Sequence, residues 1–220
     1  RLALTERQRA MLAEHFRVQA EVMPVFCEPL AAPVAGSRDR RLLVWVGRLA
    51  PVKRPQLLLE LAERLTDFNF AVIGQANSED EFAAGIKSRA GRLTNVRLLG
   101  KLAPADVARH YASAGLLVNT SRFEGFPVTF LEAWRHGLPV ATMFDPDGVV
   151  SANGLGVVAS DVEGLAGAIR RLCGSPDQWS AAAAAATGYA RTHHSVDVVA
   201  GQYERVIERV MGGVRPAARG

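Results

Sequence analysis

Leu42-Leu43-Val44-Trp45-Val46-Gly47-Arg48-Leu49-Ala50-Pro51-Val52-Lys53-Arg54-Pro55 is an apolar run that stops at a glycine, a basic loop, and a proline that opens a helix. Apolar residues in succession, without polar alternation, mark a strand buried on both faces. Leu57, Leu58, Leu61, Ala62 and Leu65 then fall at helical spacing, so the spacing predicts a helix over Pro55–Leu65. The alternation continues downstream. Phe70–Ile73 reads as a strand stopped by Gly74, Asp80–Ala90 as an amphipathic helix, and Val96–Leu99 as a strand stopped by Gly100. Pro104–Tyr111 opens a helix with proline in its first turn, where the missing N–H costs nothing. Leu116–Asn119 reads as a strand, Pro127–His136 as a helix, and Pro139–Thr142 and Gly156–Ala159 as two more strands. Buried strands separated by helices indicate an α/β fold: a parallel sheet, doubly wound and Rossmann-like because each crossover is right-handed.

The flanks differ. Past Ser160 the chain predicts three helices, Val162–Leu172, Gln178–Arg191 and Val196–Met211, and the Ala181–Ala186 run needs no reading beyond helix formation. Near the start, Thr5–Phe16 suits a helix with a threonine N-cap, and Ala20–Phe26 a strand despite Pro24. Pro29–Ser37 is rich in Pro, Ala and Gly and reads as a linker. The expected organisation is residues 1–36 as the end of a preceding domain plus linker, 37–211 as the sheet domain, and 212–220 as a frayed tail.

With 220 residues, 49% hydrophobic and 22% charged, the chain has the composition of a soluble globular protein. No apolar run approaches the roughly 20 residues of a membrane span. Cys27 and Cys173 lack metal-ligand spacing and read as two reduced thiols. The net charge is +4, with one concentration of cations at Arg38, Arg40, Arg41, Arg48, Lys53 and Arg54, opposed only by Asp39. No aromatic residues interleave with it as in nucleic-acid binders, so a small anionic ligand fits better than a polyanion.

In open parallel sheets, ligands bind beyond the carboxyl ends of the strands. Gly47 and Arg48 end the first strand, and Lys53 and Arg54 stand where the next helix starts, a place that favours anions. This predicts a pyrophosphate site, against the alternative of solvated loop charges. The second constellation is Ser121-Arg122-Phe123-Glu124-Gly125-Phe126-Pro127-Val128-Thr129-Phe130-Leu131-Glu132, a strand end, a loop and a helix start. Gly125 lets backbone approach a ligand, and Glu124 above the sheet suits a hydroxyl-rich one. Phe130, Leu131 and Trp134 share the buried helix face. Glu132 falls on the polar side, where a solvated residue needs no ligand.

Glu124 and Glu132, with seven residues between them in Glu-Gly-Phe-Pro-Val-Thr-Phe-Leu-Glu-Ala-Trp-Arg-His-Gly-Leu-Pro-Val, resemble the E-x7-E signature of the group 1 retaining glycosyltransferases, family four, of GT-B fold. Gly47-Arg48-Leu49 with Lys53, Asn95–Gly100 and Ala114–Ser121 are similar to other family blocks in the same order. The resemblance implies the C-terminal, donor-binding half of such an enzyme. Arg48 and Lys53 would neutralise the donor diphosphate, Glu124 would hold a sugar hydroxyl, and Glu132 would bind the ribose. The amides of Gly125, Phe126 and Val128 would cradle sugar and phosphate, and Gly100, Lys101 and Leu102 would lie near the base. It also implies a nucleotide-diphosphate sugar as substrate, no cofactor or metal, an unidentified acceptor, and an N-terminal domain outside this chain. Donor would bind here without transfer in that domain's absence, and the location would be cytoplasmic, with membrane-surface association through the missing half. Two features depart from the family. Pro127 removes one N–H from the cradle, and Met143-Phe144-Asp145-Pro146-Asp147-Gly148 replaces the usual Gly-Gly loop. Asp145-Pro146-Asp147 matches a metal-binding D-x-D, but reads more simply as a β-turn. His193 and His194 are adjacent and unsuited to a metal; His15, His110 and His136 read as surface or capping residues. A sugar-nucleotide epimerase of similar fold and a non-catalytic binding module are the alternatives.

Overall fold

Thr5 caps the first helix as expected, its hydroxyl accepting from the Gln8 amide at 3.1 Å. The computed structural model describes residues 1–28, 38–76 and 80–213; the expected linker, Pro29–Ser37, and most of the expected tail lie outside them. In chain order the elements are β1 (Leu2–Ala3), α1 (Glu6–Phe16), β2 (Glu21–Val22), β3 (Asp39–Val46), α2 (Pro55–Arg64), β4 (Asn69–Ile73), α3 (Glu81–Ala90), β5 (Val96–Gly100), α4 (Pro104–Ser113), β6 (Ala114–Asn119), α5 (Val128–Arg135), β7 (Val140–Thr142), α6 (Val149–Ala152), β8 (Gly156–Val158), α7 (Val162–Gly174), α8 (Pro176–His194) and α9 (Val196–Gly213). A short 3-10 turn at Pro51–Lys53 and a second short turn at Pro146–Gly148 complete them.

Six strands form one parallel sheet in the order β5-β4-β3-β6-β7-β8. The chain runs outward from β3 through β4 to β5, then returns to lay β6 on the other side of β3. That reversal opens a crevice above the carboxyl ends of β3 and β6. Period-2 alternation sends Leu43 and Trp45 to one face, against Leu58 and Leu61 of α2, Ile86 of α3 and Ile169 of α7. Val44 goes to the other, against Tyr111 of α4, Phe130 and Trp134 of α5 and Ala186 of α8. Helices on both faces make the sheet doubly wound. Each fully buried large apolar side chain contributes about 1.5–3 kcal/mol.

Gly74 lets β3 and β4 close on each other at this edge. Its φ is +136°, and a Cβ there would lie 1.8 Å from the Gly47 carbonyl oxygen.

Three expectations need correction. The strand over Ala20–Phe26 shrinks to Glu21–Val22, because its partner β1 is only two residues long and Pro24 has no N–H to extend the ladder. The basic cluster divides between the two ends of β3. Arg38, at the amino end, donates to the carbonyls of Tyr111 (2.6 Å) and Ala114 (3.1 Å) and to that of His136, closing the ends of α4 and α5. Arg48, Lys53 and Arg54 follow the carboxyl end. His136 ends α5, as a capping residue would, but is buried rather than on the surface, with neither ring nitrogen hydrogen-bonded among the described residues.

Burial, then the charges of Arg135 and Arg38, push the His136 pKa down to about 4 from its ordinary 6.5. The unfolded chain therefore takes up this proton first. The effect is absent above about pH 6.5, grows as pH falls, and levels off below about 4, a loss on the order of 3 kcal/mol in stability. Urea denaturation across this range should show a correspondingly shallower pH dependence in His136→Asn; an unchanged slope would show that the imidazole is not held neutral.

Candidate functional site: the crevice above β3 and β6

Two loops meet at the crevice. The first runs from Gly47 through Arg54 after β3, the second from Thr120 to Pro127 after β6. Four sets of bonds fasten them. Thr120 Oγ1 donates to the Lys53 carbonyl at 2.8 Å and accepts from Trp45 Nε1 at 3.2 Å. Arg54 donates to the carbonyls of Thr120 (2.7 Å) and Ser121 (3.0 Å). The Arg122 amide donates to the Val52 carbonyl at 2.9 Å. Lys53 forms an ion pair with Glu124, whose Oε1 also accepts from Ser121 Oγ at 2.6 Å. The side chains of Lys53 and Glu124 are 23% and 14% exposed, so the pair lies where screening by water is incomplete.

The cations expected to act alike therefore differ. Arg54, in a left-handed conformation with φ 47°, braces the two loops. Lys53 faces Glu124. Arg48 is exposed, and its side chain makes no hydrogen bond or ion pair among the described residues. Neither Lys53 nor Arg54 is the solvated loop charge of the alternative reading; both are half-buried.

Gly125 and half-buried Phe126 follow Glu124. The Phe126 ring packs against Trp134 and His194, with centroids 6.2 and 5.1 Å away. Pro127 occupies the N-cap of α5 with no side-chain cap bond, and Val128 begins the helix, half exposed. One turn on, Glu132 is half-buried and accepts a 2.9 Å bond from the Tyr111 hydroxyl. Gly100, Lys101 and Leu102 lie at the carboxyl end of β5, along the same sheet edge. Gly100 has φ +67° and its carbonyl accepts from the Gly74 amide at 2.8 Å; Lys101 is exposed, and Leu102 packs against the core face holding Val44.

The first segment covers part of this crevice, which the sequence reading did not anticipate. The amides of Glu6 and Arg7 donate to Asp147 at 2.6 and 3.2 Å, so Asp147 caps α1. Arg7 lies over the Phe123 ring, and a Cβ on Gly125 would meet Gln8 Nε2 at 2.8 Å. Asp145 accepts from the amides of Val150 and Ser151. Asp147 (φ 51°, ψ 22°) and Gly148 (φ 74°, ψ 14°) both have positive φ, and the Val149 amide donates to the Pro146 carbonyl, so the stretch makes a β-turn as expected, with both carboxylates engaged by helix N-termini. At the other end of the chain Arg209 of α9 reaches Glu21 of β2 at 2.7 Å.

The model of the family described as glycosyl transferases group 1 matches residues 40–175, which span β3 through the end of α7 and include both loops. The chain belongs to this family. A D-inositol 3-phosphate glycosyltransferase of Geodermatophilus obscurus is 30% identical over 201 residues, covering 84% of this chain and 44% of that protein. The enzyme of that name from Mycolicibacterium paratuberculosis is 28% identical over 184 residues, 77% of this chain and 41% of its own length. This member of the family thus spans about two-fifths of the curated relatives it matches. Among solved structures, a TarM mutant of S. aureus in complex with fondaparinux, α-GlcNAc-glycerol and UDP superposes with a TM-score of 0.79 at 22% identity, over 93% of this chain and 43% of that one. HepE of Anabaena in complex with UDP and glucose gives 0.78 at 17%, over 94% and 62%. At these identities the structural likeness establishes the shared fold.

Proposed function

We propose that this group 1 family member binds a nucleotide-diphosphate sugar in the crevice above β3 and β6 and serves as the donor half of a retaining glycosyltransferase. The observation that carries the reading is the ion pair of Lys53 with Glu124 at the reversal of strand order, in the same loop as Arg48, a cation unpaired among the described residues. A diphosphate brings a second anion to Lys53, and Arg48 supplies a cation whose side chain has no hydrogen bond or ion pair among the described residues. Freed from Lys53, Glu124 accepts from a sugar hydroxyl. The amides of Gly125, Phe126 and Val128 serve the sugar and phosphate oxygens in this reading, Glu132 the ribose, and Gly100–Leu102 the base. UDP in complexes of two proteins of this fold makes UDP-sugars the first donors to test.

Catalysis then rests on stabilising the departing diphosphate with Arg48 and Lys53 and on holding the sugar in place, with no metal required. Acceptor binding falls to the part of the longer relatives that this chain does not span, so the chain alone binds donor without transferring it. Persistence of donor binding in EDTA tests the metal-free part.

Glu124→Ala separates the two ligand halves. Calorimetry should show roughly 10-fold weaker binding of the UDP-sugar, from loss of a charge-assisted hydrogen bond. UDP itself should bind as well or better, because Lys53 no longer has a competing carboxylate. Equal weakening of both ligands would contradict the assignment of Glu124 to the sugar.

A further inference from the structure

We propose that Tyr111 is a positioning residue for the nucleotide ribose: its hydroxyl holds the Glu132 carboxylate in the orientation that receives the ribose hydroxyls. The inference rests on the nucleotide-sugar reading of the crevice and extends it to a residue on a different helix.

Tyr111 lies in the last turn of α4, 2% exposed, on the same core face as Phe130 and Trp134. A buried hydroxyl without a partner is costly, so what it bonds to is informative. Its partner is Glu132 Oε2 on α5, at 2.9 Å. Four residues of α5, Phe130, Leu131, Ala133 and Trp134, are buried apolar ones, and Glu132 is the only acid on the helix. Left alone, a glutamate on that face samples several rotamers through three torsions, and ordering it on binding costs entropy. The Tyr111 bond removes much of that cost beforehand. It occupies one lone pair of the carboxylate and leaves Oε1 without a hydrogen bond among the described residues, open to a ligand donor. The phenol is a dependable donor: burial first, then the adjacent Glu132 charge, push its pKa well up, so it keeps its proton across the working pH range. Tyr111 itself sits beneath the carboxylate in the core, so it acts on ligand only through Glu132.

A purely structural hydroxyl would lower stability when removed but would not distinguish one nucleotide from another. The test exploits this. Calorimetry compares UDP with 2′-deoxy-UDP and 3′-deoxy-UDP in the unaltered chain, Tyr111→Phe, Glu132→Ala and the double variant, with thermal melts confirming that each is folded. Tyr111→Phe keeps the ring and its packing. Expected is a loss of about 5–10-fold in UDP affinity, little change for the deoxy analogue lacking the hydroxyl that Glu132 contacts, and no further loss when Glu132 is already alanine. Two results overturn the proposal alone: Glu132→Ala abolishes ribose discrimination while Tyr111→Phe leaves it intact, or Tyr111→Phe weakens all three nucleotides equally. If Glu132→Ala changes nothing, the ribose assignment itself falls, and the proposal with it.

Discussion

Gly74→Ala should cost the fold about 3–5 kcal/mol, a large part of the 5–15 kcal/mol by which a native domain is stable. The added Cβ would lie 1.8 Å from the Gly47 carbonyl oxygen, far inside the 3.0 Å below which real Cβ contacts essentially never fall, and the obstruction is backbone, which no rotamer change removes. The φ of +136° adds strain for any residue with a Cβ. Relief requires β3 and β4 to separate where Gly47 leads into the Arg48 loop, so ligand binding should weaken along with stability. Gly85→Ala is the control. That glycine lies in α3, exposed, with nothing within 4 Å of its Cβ position, and alanine there should stabilise by roughly 0.5–1 kcal/mol. Urea denaturation reads both. Equal stability of Gly74→Ala and the unaltered chain would show that the two strand ends do not approach as described.

The paired replacement Arg48→Ala/Lys53→Ala should reduce nucleoside diphosphate affinity by about 100–1000-fold, roughly 3–4 kcal/mol. Lys53 should contribute the larger share, since its side chain is only 23% exposed and its charge is less screened. Arg48 is exposed and should contribute less, with an effect that fades as salt is raised. Both would act on one ligand, so the single losses need not sum to the double. Glu124 complicates Lys53→Ala, because the variant leaves that carboxylate half-buried and unpaired beside the incoming anion. Adding Glu124→Ala to Lys53→Ala separates lost attraction from new repulsion: recovery of part of the UDP affinity measures the repulsion.

Most of the sheet was legible because its strands are bounded by residues with physical meaning. Gly47, Gly74 and Gly100 end three of them, and prolines open α2 and α4. Periodicity was weaker where an element owes its existence to a partner. The strand expected over Ala20–Phe26 had apolar content, but a two-residue neighbour permits only a two-residue ladder. The short helix Val149–Ala152 went unread, since Asp145, whose carboxylate accepts from the Val150 and Ser151 amides, looked only like a turn residue. Within the site, spacing placed Arg48 and Lys53 in the loop after β3, Glu124 in the loop after β6 and Glu132 on α5. It did not show that Lys53 and Glu124, 71 positions apart, face each other, or that Arg54 serves as a brace. Arg38 looked like a ligand-binding cation and instead closes two helix ends, because a guanidinium reads the same in sequence whether it meets carbonyls or phosphate. Tyr111 gave no signal beyond a core aromatic; only the packing of α4 against α5 places its hydroxyl on Glu132.

Isothermal titration of this 220-residue chain with UDP, ADP and GDP and their glucose conjugates tests the central claim most directly. The account predicts saturable one-to-one binding of at least one nucleotide and its sugar conjugate, strongly diminished in Arg48→Ala/Lys53→Ala with the fold intact. Absence of binding across the panel by the folded chain, or binding of undiminished affinity in the double variant, would contradict it.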